Sequence, residues 1–338
     1  MQDQPLFATV VASMRNEGPF IVEWVTWYRM LGFRRVVVVT NDCQDRSPDL
    51  LDALEAAGWV QHLRCDIATG QKVTAAKLAL AKETRAVRRA DWVLVCDVDE
   101  FLVIHRGAGL LTDLLGEGPP DFLGMAINWR VFGNNGVAEY VDEPVHRQFF
   151  NCVGARRGLN SFVKTIHREP GWFEALGEHG PRTLDVTAAG GAFGSGTLRF
   201  VNGAARDLPG WRPRGPYLRM VPEAMIDHSV AQMNHYMLRS AETYSLKRGT
   251  LSPVAAVNRY TDRYWKAADR AEEVDLSIAR YATAFDALHA EAMALPRVAR
   301  LHDLCCADHL AQVAEKAGRR AQDDPRHAAF LRRAAERA

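Results

Sequence analysis

Asp91-Trp92-Val93-Leu94-Val95-Cys96-Asp97-Val98-Asp99-Glu100-Phe101-Leu102-Val103-Ile104 is the stretch on which the reading of the whole chain turns. Trp92 to Cys96 is an apolar run of strand length, as expected of a strand buried on both faces, and it stops abruptly in three acids around one valine. Side chains two apart in an extended segment point the same way. Asp97 and Asp99 are therefore expected to converge just past the strand's carboxyl end, where open α/β sheets bind ligands. Two converging carboxylates repel each other unless a cation sits between them, and oxygen ligands suit Mg²⁺ or Mn²⁺, whose shell is completed by water and substrate phosphate. The plainer reading, an acidic surface turn, is outweighed by the elements that precede it.

Leu6 to Ser13 is fit for a first buried strand, and Gly18-Pro19 punctuates the turn into a helix whose Phe20, Trp24, Trp27, Tyr28 and Leu31 form one apolar stripe. Arg35 to Thr40 reads as a second strand, Asp49 to Ala57 as a helix behind a run of turn and capping residues, and Trp59 to Arg64 as a third strand. An alanine-rich helix, Lys72 to Arg89, leads to the central strand. Four strands separated by three helices predict a parallel, right-handed βαβ sheet with ligands gathered at the strands' carboxyl ends. Those ends carry the polar clusters Arg15 to Glu17, Asn41 to Asp45 and Asp97 to Glu100. No G-x-G-x-x-G follows the first strand and no G-x-x-x-x-G-K-[ST] occurs, which disfavours dinucleotide dehydrogenases and P-loop enzymes.

Beyond Pro119-Pro120 the alternation is lost. Gly124 to Val131, Ser161 to His167 and Val230 to Tyr236 read as further strands, and Ser240 as the cap of a helix ending at Gly249. The Gly- and Pro-rich stretch from Gly190 to Gly215 is expected to be irregular or mobile and is a candidate acceptor loop. From about Tyr264 onward Ala, Arg and Glu at helical spacing predict a helical tail. With 42 basic and 41 acidic side chains in 338 residues, no global field recruits nucleic acid or an anionic membrane. The six cysteines show no C-x-x-C spacing, favouring reduced thiols. There is no signal-peptide pattern and no apolar run near the roughly 20 residues that span a bilayer, so a cytoplasmic protein without a transmembrane segment is expected.

Taken together, Arg15-Asn16-Glu17 with Glu23-Trp24, Asp97-Val98-Asp99-Glu100-Phe101-Leu102, Trp129 with Phe132-Gly133, Val163-Lys164, and Asn234-His235-Tyr236 followed by Ser240, Glu242, Lys247, Arg248 and Gly249 resemble a GT-A glycosyltransferase. More narrowly they resemble the family 2-like group whose hallmark is D-x-D-E-F, related to family 92, over about residues 6 to 250. The resemblance implies an α/β, Rossmann-like sandwich with a mainly parallel central sheet. It also implies a UDP- or GDP-sugar donor, Mn²⁺ or Mg²⁺, a glycan or other hydroxyl acceptor, and inversion at the anomeric carbon. By that likeness Asp97 faces the donor's ribose or the metal shell, Asp99 contacts the metal, and His235 completes the metal or diphosphate site. Arg15, Glu17, Asn41, Asp42 and Asp45 match the nucleoside-binding strand ends, although the loop N-D-C-Q-D-R-S leaves open which acid meets the base.

Lys164, Lys247 and Arg248 are candidates to neutralise phosphate, against the ordinary reading of such residues as solvated. Glu242 and Glu100 are candidate general bases, and His179 is a second candidate metal-side histidine. Trp129 either stacks on a ligand or joins Trp24, Trp27 and Trp92 in the core. The expected division is a glycosyltransferase domain over 1–263, with a nucleotide-binding half 1–104 and an acceptor-side half 105–263, followed by a helical extension over 264–338. The competing readings are a sugar nucleotidyltransferase, which normally has a Gly-rich, Arg-containing loop after its first strand, a glycoside hydrolase, and a non-catalytic nucleotide-sugar-binding protein.

Overall fold

The expected alternation is present in the computed structural model, which describes residues 6–116, 121–190, 198–208, 211–212, 215–251 and 257–337. Its first part runs β1 (Ala8–Met14), α1 (Gly18–Met30), β2 (Arg35–Thr40), α2 (Ser47–Ala56), β3 (Gln61–Arg64), α3 (Val73–Lys82), α4 (Arg85–Arg88) and β4 (Trp92–Val95). The single helix expected from Lys72 to Arg89 is divided, because the Thr84 side chain accepts from the Val87 N–H and starts α4 afresh. Next come β5 (Glu100–Ile104), α5 (Leu111–Leu115), β6 (Gly124–Val131), α6 (Val145–Gln148), β7 (Asn151–Cys152), β8 (Val163–Arg168), β9 (Phe173–Gly177) and β10 (Gly180–Leu184). The chain closes with α7 (Val186–Ala189), β11 (Phe200–Asn202), β12 (Ala231–His235), α8 (Ala241–Lys247), α9 (Asp262–Ala268), β13 (Glu273–Val274), α10 (Ala282–Met293), α11 (Val298–Lys316) and α12 (Pro325–Glu336).

The central sheet has the order β3-β2-β1-β4-β8-β6-β12-β5. The first four strands are parallel, β8 is antiparallel to both neighbours, β12 is parallel to β6, and β11 pairs with β6 in parallel. The fold is thus α/β with a mainly parallel central sheet, as expected. Val10, Val11, Val37, Val38 and Val93 are buried, since crossover helices cover both faces of such strands.

One departure from the expectation falls at the centre. The acids do not tip a single extended segment. The chain turns at Val98 and Asp99, closed by the Glu100 N–H on the Asp97 carbonyl at 3.1 Å, and resumes as β5, antiparallel to β12. The Glu100 carboxylate accepts the Asp97 N–H at 2.8 Å, so this acid builds the turn that presents its neighbours. α1 holds the turn from behind. The indoles of Trp24 and Trp27 donate to the carbonyls of Asp97 and Leu102, and the Tyr28 hydroxyl to that of Glu100, each at 3.0 Å.

Pro119-Pro120 and parts of the Gly190 to Gly215 stretch, residues 191–197, 209–210 and 213–214, lie outside the described residues. The described part is packed: β11 joins the sheet, and Trp211 stacks on Phe200 with ring centroids 4.2 Å apart. The C-terminal helices share the main core, to which Phe285, Leu301, Cys305, Leu310 and Phe330 belong together with α1 and β5 side chains. Among the described residues no helix is long and apolar enough to cross a membrane.

Candidate functional site

A cavity of about 1390 Å³ opens at the carboxyl ends of β1, β2 and β4. Arg15, Asn16 and Glu17 enter it from the loop after β1, Asn41 and Asp42 from the end of β2, and Asp97 and Asp99 from the turn after β4. His235 ends β12 in register with Glu100, which brings its ring beside the acidic turn. The Tyr236 N–H donates to the Asp99 carbonyl at 2.8 Å and fixes the approach. Trp129, Phe162 and His179 form an aromatic wall, Trp129 stacked on Phe162 at 4.8 Å and meeting His235 edge-on at 4.3 Å.

Charge around the acids is arranged in two pairs. The Lys164 ammonium lies 2.9 Å from Asp97 Oδ2, 2.9 Å from Glu100 Oε2 and donates to the Glu178 carbonyl at 2.7 Å. Lys247 Nζ is 3.0 Å from Asp99 Oδ2, and His235 Nε2 is 3.4 Å from Asp99 Oδ1. Burial opposes ionisation of both aspartates, but Lys164 holds Asp97 below the usual carboxylate range, and Lys247 with His235 holds Asp99 well below it. Glu100, with no exposure, is pushed up to about 7 by burial in spite of Lys164. Both lysines stay charged: burial pulls each down, and their carboxylate partners more than restore them.

The cavity brings together Arg15, Glu17, Asn41, Asp42, Asp97, Asp99, His235 and Lys247 of the expected set. The others are placed elsewhere, each for a visible reason. Lys164 is 1% exposed and sits beneath the acids rather than facing the cavity. Glu100 likewise lies under the floor, its second oxygen without a hydrogen-bond partner among the described residues and 3.9 Å from His235 Nδ1. Asp45 ties the start of α2 to that of α1, its oxygens accepting from the Ser47 N–H and hydroxyl and from the Gly18 N–H. Arg248 pairs with Asp262 at the surface. Glu242 does not line the cavity; Tyr140 N–H donates to it at 2.8 Å and Arg326 engages both its oxygens at 3.0 Å, so it fastens α12 to α8. Its position gives the general-base expectation no support. Glu242→Gln should lower stability by about 1 to 3 kcal/mol in urea unfolding, while leaving ligand affinity at the cavity within about twofold.

Sequence reasoning missed Arg239, Lys77 and the wall from the C-terminal region. Arg239 has φ +56° and is buried, with its guanidinium 3.6 Å over the Phe20 ring, Nη1 on Glu17 Oε2 at 2.9 Å, and Nε and Nη2 without hydrogen-bond partners among the described residues. A left-handed arginine leaves no mark in sequence. Lys77, donating to the Met14 carbonyl at 3.1 Å, is drawn down to about 8 by burial; it looks like any other polar residue of a helix. Arg259, Tyr260 and Tyr264 with His309, Gln312 and Lys316 close the far wall.

Two buried histidines set an acid limit. Burial pulls His167 down to about 4 and His309 to about 3. Between their ordinary pKa, about 6.5, and those values the unfolded chain holds protons that the native chain does not, so stability rises with pH. Each should cost on the order of 1 kcal/mol on going from neutrality to about pH 5.5, measurable as a falling urea midpoint; His309→Gln should flatten part of that slope.

No family model matches the chain, and no curated protein matches it significantly in sequence. Among solved structures it is similar to S. aureus TarS 1-349, at 12% identity and TM-score 0.35, covering 92% of this chain and 82% of that one. It is also similar to the same fragment in complex with UDP, at 15% identity and TM-score 0.32, covering 48% and 47%. A third is a putative glucose-1-phosphate thymidylyltransferase from Bacillus anthracis in complex with a sucrose, at 11% identity and TM-score 0.32, covering 61% and 88%. Against the longer S. aureus TarS structure, the match covers 28% of that chain. The sheet order of this chain is that of an α/β fold with a mainly parallel central sheet.

Proposed function

We propose that the chain is a metal-dependent inverting glycosyltransferase that moves a sugar from a UDP- or GDP-sugar to a hydroxyl of a glycan, such as a cell-surface polysaccharide. The observation that carries this reading is the meeting of Asp99, His235 and Lys247 at the end of β4, in one cavity with the polar ends of β1 and β2. Asn41, whose buried Oδ1 has no hydrogen-bond partner among the described residues, with Asp42 and Arg15, supplies polar groups for a nucleoside. Lys247 and the unpartnered nitrogens of Arg239 bring positive charge to a diphosphate, where negative charge grows as the anomeric bond breaks. Trp129 and Phe162 offer apolar surface to the sugar.

The donor set fits a hard divalent ion in part. Asp99 Oδ1 and His235 Nε2, 3.4 Å apart, have a spacing close to the roughly 3 to 3.5 Å between neighbouring ligands bonded at about 2.1 to 2.2 Å. These two would hold Mn²⁺ or Mg²⁺, with Asp97 toward its water shell, and the bound ion would supply Lewis-acid stabilisation of the leaving diphosphate. A second reading, nucleotide-sugar binding without metal or turnover, is favoured by the lysines that already neutralise Asp97 and Asp99. The test is a panel of UDP- and GDP-sugars assayed for hydrolysis and for protection against thermal unfolding, with Mn²⁺ and with chelator. Mn²⁺-dependent turnover of a donor is expected. Protection that chelator does not change, without turnover, supports the binding protein instead. Release of pyrophosphate from a nucleoside triphosphate and a sugar 1-phosphate would replace both with a sugar nucleotidyltransferase.

A further inference from the structure

We propose a second metal site, separate from the cavity, formed by Asp142, His302 and Cys306 and suited to Zn²⁺ or a similar transition ion. His302 and Cys306 stand four residues apart on α11, so both side chains leave the same face of the helix. Asp142 reaches them from the segment between β6 and α6. Among the described residues this is the one group of three or more His, Cys, Asp or Glu whose ligand atoms all lie within 4.8 Å of one another.

The separations decide what the trio can do. His302 Nε2 is 3.6 Å from Cys306 Sγ and 2.8 Å from Asp142 Oδ1, and Cys306 Sγ is 3.8 Å from Asp142 Oδ1. Bonds of about 2.3 Å to sulfur and about 2.1 Å to nitrogen and oxygen, at tetrahedral angles, place N and S about 3.6 Å apart, S and O about 3.6 Å, and N and O about 3.4 Å. The two sulfur distances already agree, and the third opens by roughly 0.6 Å when a hydrogen bond gives way to two metal bonds. A nucleophilic Cys-His-Asp relay would divide its partners between the two ring nitrogens. Here thiol and carboxylate both face Nε2, while Nδ1 has no hydrogen-bond partner among the described residues. Three donors around one point suit a cation better than a proton relay.

The surroundings complete the site. Arg333 holds Asp142 Oδ2 at 2.9 Å, leaving Oδ1 for the ion, and the Tyr140 hydroxyl donates to Cys306 Sγ at 3.2 Å, support that a thiolate ligand requires. A sulfur, nitrogen and oxygen set selects transition ions over Mg²⁺ and Ca²⁺. Asp142 is exposed, so water can take a fourth position. The ion would pin α11 to the Asp142 segment, and the later turns of that helix carry His309 and Gln312 of the cavity wall.

The full chain, reduced and stripped with chelator, should bind one equivalent of Co²⁺ with a thiolate-to-cobalt absorption band that Zn²⁺ displaces. Zn²⁺ should also slow alkylation of Cys306, located by peptide mass mapping, at least about tenfold. Cys306→Ser and His302→Gln should each weaken binding about tenfold or more, whereas Asp99→Ala, which alters only the cavity, should leave the band in place. Cobalt bound without a thiolate band, or Cys306 alkylated equally fast with and without zinc, overturns the proposal, and the alkylation reading on the unaltered chain stands even if a variant does not fold.

Discussion

Replacing Lys164 with methionine should destabilise the protein by about 3 to 5 kcal/mol, the largest effect expected of any single change at this site. Methionine keeps most of the length of the side chain but removes the charge that Asp97, Glu100 and the Glu178 carbonyl share. Glu100 then has no exposure and has lost the cation 2.9 Å from it, so burial drives it to hold a proton. The sign of the pH dependence follows. A carboxyl raised further in the folded state contributes stability at low pH that is lost as pH rises through its folded value, so the defect should be smaller near pH 5 than near pH 8. Glu100→Gln in the same chain should recover part of the loss, because the buried group no longer has to ionise. Urea unfolding of the two variants at both pH values measures this; a loss under about 1 kcal/mol would mean that water reaches the pair and that the acidic turn does not depend on its lysine.

Asp99→Ala should lower donor turnover by about 10²- to 10³-fold while the chain stays folded. The backbone at Asp99 keeps its place, since the Tyr236 N–H bonds its carbonyl, and among the described residues the side chain pairs with Lys247 and His235. Lys247 is partly exposed, so its ammonium is not stranded when the carboxylate leaves. Asp99→Asn keeps the shape and removes the charge; if charge is what matters, it should be impaired nearly as much as the alanine variant. Turnover equal to that of the unaltered chain would remove the assignment of Asp99 to the leaving group and, with it, the reading of the cavity as a transferase site.

Much of this was legible in the chain. The β-branched and apolar runs of β1 and β2, the helical stripe of α1, and the turn residues between them dictate a parallel βαβ sheet, and the abrupt acids after Trp92–Val95 mark the end at which the cavity opens. Local pattern is enough there, because these elements are set by neighbours within about 15 residues. The Ser240 cap was legible for the same reason: its hydroxyl accepts from the Thr243 N–H three residues on.

What only the tertiary structure decided are partnerships across long stretches of chain. Glu242 and Glu100 carry the same chemistry in sequence as Asp97 and Asp99. One is claimed by Arg326, 84 residues away, and the other is turned under the floor by its bond to the Asp97 N–H. Whether a carboxylate is a ligand, a cap or a strut depends on which cation it meets and whether water reaches it, and neither is a local property. Arg239 over Phe20, Lys164 beneath the acids, and Cys306 facing Asp142 arise from contacts closed by the packing of β12, β8 and α11 respectively. Sequence pattern determined the sheet and the end of it at which the cavity opens, whereas the assignment of charges within that end waited on the fold.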